Sequence, residues 1–148
     1  MTSSSHFAGL RANRRATHLT RMLSVAVLLV GFAFSGLASA LTIKPYSEKA
    51  VAEAQAKGAA TALLFHADWC PTCRAQEKTL KALEKSSQRD IVVFFVNYDK
   101  EKELRKMKKV RAQSTLIVYR GAKETSRMAG ETSAAAITTA LDSAYMMK

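Results

Sequence analysis

Trp69-Cys70-Pro71-Thr72-Cys73 holds both cysteines of the chain, two thiols three positions apart. Before them, residues 61–67 (TALLFHA) form a continuous apolar run that suits a strand covered on both faces. After them, residues 74–85 (RAQEKTLKALEK) repeat with a helical period, and Cys73, Gln76, Leu80 and Leu83 share one face. The local order is therefore strand, dithiol, helix. The pair stands where the helix begins.

That position has a chemical consequence. A thiol reacts as its thiolate, and the unsatisfied N–H groups and macrodipole of a helix start favour negative charge there. Pro71 falls at the first helical position, where a missing N–H costs nothing. Cys70 is the expected nucleophile, attacking a substrate disulfide to give a mixed disulfide. Cys73, one turn on and facing the core side, is expected to resolve it. Two other readings stay open. A structural disulfide enclosing two residues would constrain little of the unfolded chain. A metal site would want four ligands, and residues 41–148 offer Cys70, Cys73 and the single histidine His66.

The 148 residues suffice for one domain with a real core. Formal net charge is +11, from 23 Lys and Arg against 12 Asp and Glu. Residues 1–21 are polar, Ser-rich and basic, with Arg11, Arg14, Arg15 and Arg21. Residues 22–38 are uncharged and apolar, and Ala38-Ser39-Ala40 closes the run with small side chains. That order predicts a secretory signal peptide over 1–40, cleaved after Ala40, with the periplasm as destination. An uncleaved membrane anchor is the alternative. In an oxidising compartment a dithiol needs a dedicated donor to stay reduced.

Residues 41–148 carry 19 basic and 12 acidic side chains. Such a surface favours acidic proteins or anionic head groups. The basic residues are scattered over helices without an aromatic-rich motif, which argues against nucleic acid. Along the chain, residues 41–43 read as an edge strand ended by Pro45. Ser47 caps a surface helix that Gly58 stops. Residues 91–98 (IVVFFVNY) are the strongest strand, expected to be central. Residues 100–109 form a short basic helix with Leu104 and Met107 facing inward. Residues 115–120 and 124–128 make a hairpin around Gly121-Ala122. Thr132 or Ser133 starts a last helix with Ile137, Leu141 and Tyr145 on its apolar stripe. The order β-α-β-α-β-α-β-β-α predicts an α/β domain, a mixed sheet of four to five strands with helices on both faces.

FHADWCPTC, the strand IVVFFVNYD, the segment VRAQSTLIVYRG and Gly130 before the last helix together resemble the thioredoxin superfamily over nearly all of 41–148. Within it, FHADWC and CRAQE are similar to the C-terminal domain of the DsbD thiol:disulfide interchange proteins. WCPTCRA is similar to the active site of the cytochrome c maturation thioredoxins. The resemblance implies a thioredoxin fold and a monomer, acting on protein disulfides without a cofactor beyond the dithiol. It also implies a membrane electron donor of the DsbD/CcdA type. Substrate contacts are implied for Trp69, Pro71 and Thr72 around the first cysteine, and for Gln113, Ser114 and Thr115 on the facing loop.

Three positions depart from the family pattern. Leu64 stands where many relatives have a buried aspartate that helps proton transfer at the second cysteine. Glu77, four residues after Cys73, is the possible substitute proton acceptor, with a surface pair to Lys81 as its plainer role. His66 replaces an aromatic residue and is read as strand-end packing. Ser114 stands where the family has a cis-proline facing the dithiol. A cis bond before a non-proline residue costs about 2.5–4 kcal/mol, so the Gln113–Ser114 bond is expected to be trans.

Overall fold

The structure, a computed structural model, describes residues 40–146. The leader expected over 1–40 lies outside these residues except for Ala40. The elements run β1 (Thr42–Pro45), α1 (Glu48–Ala56), β2 (Ala60–His66), α2 (Pro71–Ser86), β3 (Ile91–Asn97), α3 (Lys102–Met107), β4 (Thr115–Arg120), β5 (Lys123–Ala129) and α4 (Ala134–Asp142). A 3₁₀ turn over Ser143–Tyr145 follows.

The strands form one sheet in the order β1-β3-β2-β4-β5. β1 and β2 lie parallel to β3, whereas β4 runs antiparallel to β2 and to β5. This is the mixed sheet of the thioredoxin fold. β2 is the middle strand, and all seven of its residues are buried. Its continuous apolar run has a simple cause. Successive side chains point to opposite faces, and both faces are covered. Ala60, Ala62 and Leu64 pack with Leu80 of α2 and with Ile137 and Leu141 of α4. Leu63 and Phe65 pack on the other side with Val51 of α1, Leu104 of α3 and Val110.

Local capping chemistry sets the helix bounds. Ser47 Oγ accepts the Ala50 N–H at the start of α1, and Ser133 Oγ accepts the Ala136 N–H at the start of α4. Gly58, at φ +69°, turns the chain out of α1 in the left-handed region that glycine adopts freely.

Strand β3 is central as expected, with β1 and β2 paired on either side of it. Two expectations need correction. Met107 is 68% exposed and does not face inward. Helix α3 ends there, Lys109 takes a left-handed φ of 54°, and the chain turns so that Val110 fills the core position instead. Tyr145 leaves the apolar stripe because the last helix tightens to 3₁₀ geometry at Ser143. Ala144 turns inward in its place, and the exposed Tyr145 hydroxyl donates to the Asp90 carbonyl at 2.7 Å.

Candidate active site

Strand β2 delivers the chain to the dithiol. After His66 a tight turn closes with the Cys70 N–H donating to the Ala67 carbonyl at 3.0 Å. Cys70 is then the N-cap of α2, with Pro71 at the first helical position as its sequence predicts. The Cys73 N–H donates to Cys70 Sγ at 3.3 Å, so a sulfur occupies the place a capping oxygen usually takes. Both thiols are free. Cys70 is 4% exposed and Cys73 not at all, which leaves Cys70 as the sulfur a substrate can reach.

Across from them lies Ser114. Its Oγ is 3.0 Å from Cys73 Sγ and 3.4 Å from Cys70 Sγ. The Gln113–Ser114 bond is trans, as expected, since no cis peptide occurs among the described residues. Ser114 itself sits at φ 61°, in the left-handed region. Its N–H donates to the Phe65 carbonyl at 2.8 Å, and its carbonyl accepts from the Gly130 N–H at 3.1 Å and Gln76 Nε2 at 3.0 Å. Gln76 Nε2 also donates to the Glu131 carbonyl at 2.7 Å. Thus one buried amide ties α2 to the loops on either side of the β4–β5 hairpin.

The two thiols differ electrostatically. Burial pushes Cys70 up, but hydrogen bonds from Ser114, from the Cys73 thiol and N–H and from the Thr72 N–H outweigh it and bring the thiol down to about 7. Cys73 is pushed up, first by burial and then by the neighbouring Cys70, although Ser114 and the Ala67 backbone draw it the other way. Above about pH 7 the thiolate predominates at Cys70, while burial keeps Cys73 the harder of the two to ionise. Alkylation of the reduced chain by iodoacetamide should therefore rise with pH and level off above a midpoint near 7. Below that midpoint it should fall about tenfold per pH unit, the slope of a single thiolate. A midpoint at the ordinary thiol value would contradict this geometry. The same lowering stabilises the folded, reduced chain above the ordinary thiol range, a contribution lost as pH falls through about 7.

The remaining expected residues divide. Trp69 is 59% exposed beside the dithiol, and its indole N–H donates to Asp99 Oδ2 at 2.9 Å. Pro71 is exposed, and Thr72 and Gln113 are half-buried. Thr115 is buried at the start of β4, its hydroxyl donating to the Ala112 carbonyl at 2.7 Å.

Glu77 lies between Lys81 Nζ at 2.6 Å and His66 Nε2 at 3.2 Å. The latter is a close approach rather than an aligned hydrogen bond. The hydrogen bond to Lys81 and the charges of Lys81 and His66 hold the Glu77 carboxyl below the usual carboxylate range, against the effect of burial. The plainer role of Glu77, the pair with Lys81, is present. His66 stacks on Phe95 with ring centroids 5.6 Å apart, and its Nδ1 is 3.5 Å from Asp68. Both ring nitrogens thus face carboxylates rather than the sulfurs. Among the described residues no group of three or more His, Cys, Asp and Glu could hold a metal ion.

Residue-by-residue reading of the sequence gave no role to Gln76, Tyr98 or Asp99. Gln76 had a visible signal, an amide on an otherwise apolar stripe. Tyr98 packs against the cluster of Ala67, Cys70 and Cys73, a long-range contact that the sequence does not show.

Comparison with known proteins agrees with this geometry. The thioredoxin family model matches residues 43–143. Thioredoxin-1 of Drosophila melanogaster is 33% identical over 66 residues, 45% of this chain and 62% of that protein. The chain thus spans less than two thirds of the length of the curated relatives it matches. The crystal structure of Trxlp from Edwardsiella tarda is 44% identical, covering 68% of this chain and 98% of that one at a TM-score of 0.64. Deadhead, a germline-specific thioredoxin of Drosophila melanogaster, shares the fold at 24% identity and a TM-score of 0.57, over 72% of this chain and 98% of its own. The family match runs from β1 through the CxxC helix into α4, and the chain belongs to the thioredoxin family.

Proposed function

We propose that the protein is an exported thiol:disulfide oxidoreductase that reduces protein disulfides. The enzyme class follows from membership of the thioredoxin family. The observation that carries the mechanism is the unequal pair, Cys70 at the helix cap and lowered to about 7, with Cys73 buried and raised behind it. The Cys70 thiolate attacks a substrate disulfide, one substrate sulfur leaves, and Cys73 then displaces the other by forming the Cys70–Cys73 bond. Two electrons pass from the dithiol to the substrate. Reduction as the working direction rests on the resemblance of FHADWC and WCPTCRA to the DsbD C-terminal domain and the cytochrome c maturation thioredoxins. Export to the periplasm rests on the leader. Together they call for a membrane donor of the DsbD/CcdA type, with the chain acting as a monomer.

Acidic proteins are the proposed substrates, on the excess of basic side chains over residues 41–148. Arg105, 3.9 Å over the Tyr98 ring, is the basic side chain that Tyr98 links to the cysteine cluster. Trp69, Pro71 and Thr72, next to Cys70 in the chain, and Gln113, Ser114 and Thr115 on the segment facing it are the proposed substrate contacts.

The test is turnover of a disulfide-bonded peptide by the full chain, with dithiothreitol as reductant. Acceleration well above the rate with dithiothreitol alone is the expected result. No acceleration, together with a stoichiometric metal retained through purification, would replace this reading with that of a CxxC metal or metallocofactor carrier. Export is tested by N-terminal sequencing of the chain recovered from the cell envelope, which should begin at Leu41. A chain still carrying its leader would be an anchored one.

A further inference from the structure

We infer that the Ser114 hydroxyl is a catalytic hydrogen-bond switch: it donates its single proton to Cys70 in the reduced enzyme and to Cys73 once Cys70 is held in the mixed disulfide. The inference deepens the oxidoreductase reading and rests on it.

Four observations carry it. Ser114 Oγ stands within hydrogen-bond reach of both sulfurs, 3.0 Å from Cys73 and 3.4 Å from Cys70. The residue is 3% exposed, so water does not compete freely for that hydroxyl. Its backbone is pinned by Phe65, Gly130 and Gln76, which fixes where the side chain starts. Finally, it holds a φ of 61°, a conformation that L side chains avoid and glycine would adopt freely. A hydroxyl-bearing residue at a glycine-like position points to use of the hydroxyl.

The groups usually asked to manage the second thiol are elsewhere. Leu64 is an apolar core residue, and Glu77 is engaged by Lys81 and His66. Around the two sulfurs the influences are burial, Ser114, nearby backbone groups and the thiols themselves.

A hydroxyl has one proton, so it donates to one sulfur at a time. In the reduced state Oγ–H points to the Cys70 thiolate, alongside the hydrogen bond that sulfur takes from the neutral Cys73 thiol. Attack by Cys70 forms the mixed disulfide and breaks the substrate S–S bond, releasing the first substrate sulfur as a thiolate. Cys70 now bears no charge, so Oγ–H is free to rotate to Cys73. There it stabilises the thiolate formed as the Cys73 proton passes to the departing substrate thiolate. Cys73 Sγ then attacks Cys70 Sγ, the Cys70–Cys73 bond forms, and the second substrate sulfur leaves as a thiolate that water protonates. The enzyme is oxidised by two electrons and the substrate disulfide reduced by two.

Ser114→Gly and Ser114→Ala in the full chain test this together. Both remove the hydroxyl. Glycine relaxes the left-handed backbone, whereas alanine keeps its strain. The Cys70 alkylation midpoint should rise by about one pH unit in both variants, the scale of one lost hydrogen bond to a charged group. Decay of the mixed disulfide, followed in a single turnover, should slow about tenfold in both. Wild-type midpoints in both variants would overturn the inference. So would a shift in one variant alone, because backbone or packing would then be the cause. Circular dichroism checks folding, and if the alanine variant is unfolded the glycine variant decides. The midpoint is read without substrate. An unchanged midpoint with intact turnover therefore counts against Ser114 alone, and absent turnover in the wild type counts against the oxidoreductase reading.

Discussion

Cys73→Ser should convert the protein from a turnover catalyst into a trap. Cys70 keeps its place at the helix cap, its access to solvent and its thiolate character, so the first attack proceeds. No second sulfur is then available to displace the substrate, and the mixed disulfide accumulates. Mass spectrometry of the non-reduced protein should show one substrate half bound per chain, released by dithiothreitol. Cys70→Ser should behave differently. A serine hydroxyl is hardly ionised near neutral pH, so turnover should fall by roughly a thousandfold or more and no adduct should form. The asymmetry is the point of the pair of variants. The proposed roles rest on one sulfur's slight exposure and the other's complete burial, and on pKa shifts of opposite sign. Residual turnover in Cys70→Ser, or an adduct in that variant instead of in Cys73→Ser, would reverse the assignment.

Most of this arrangement is written in local sequence. A continuous apolar run demands cover on both faces, and β2 has it. Pro71 after Cys70 marks a helix start, and Cys70 caps that helix. Gly121 between two β-rich runs marks a hairpin, and β4 and β5 form one. These features depend on near neighbours, which is why they can be read from a string. The exceptions fall where the outcome depends on something distant or on how a helix ends. Met107 and Tyr145 have the right spacing for the core, but each lies at the point where its helix stops or tightens.

The role of Ser114 belongs to the distant kind. The sequence shows that proline is missing from that position and suggests a trans bond. It does not show that a left-handed backbone 41 residues from Cys73 aims the hydroxyl between the two sulfurs. Glu77 illustrates the converse. Its spacing from Cys73 invites a proton-transfer role, yet the same helical spacing offers it Lys81, and His66 approaches from β2.

Gln76→Leu should cost stability although it places an apolar side chain on an apolar helix face. Leucine is close to glutamine in size, though branched, and suits an apolar stripe, so packing alone predicts a modest change. The hydrogen bonds predict otherwise. Gln76 is 1% exposed, and its Nε2 serves the carbonyls of Ser114 and Glu131 at 3.0 and 2.7 Å. Without that amide two acceptors lose a donor, one of them at a fully buried residue. Leaving a buried polar group unsatisfied costs about 1–3 kcal/mol. The Ser114 carbonyl keeps the Gly130 N–H, and Glu131 lies in an exposed loop where water can replace the lost bond. An opposing gain comes from Gln76 Oε1, which has no partner among the described residues and is better replaced by a methyl group. The net expectation is a loss of about 1 kcal/mol, the low end of that range, read from the urea midpoint at unchanged slope. A change within about 0.5 kcal/mol would show that the amide is only filling space. The effect should also reach the chemistry. Gln76 holds the carbonyl of the residue whose hydroxyl faces both thiols, so loosening it should move the Cys70 alkylation midpoint up, in the same direction as removing the hydroxyl. A stability loss without any movement of that midpoint would mean that Phe65 and Gly130 are sufficient to keep Ser114 in place.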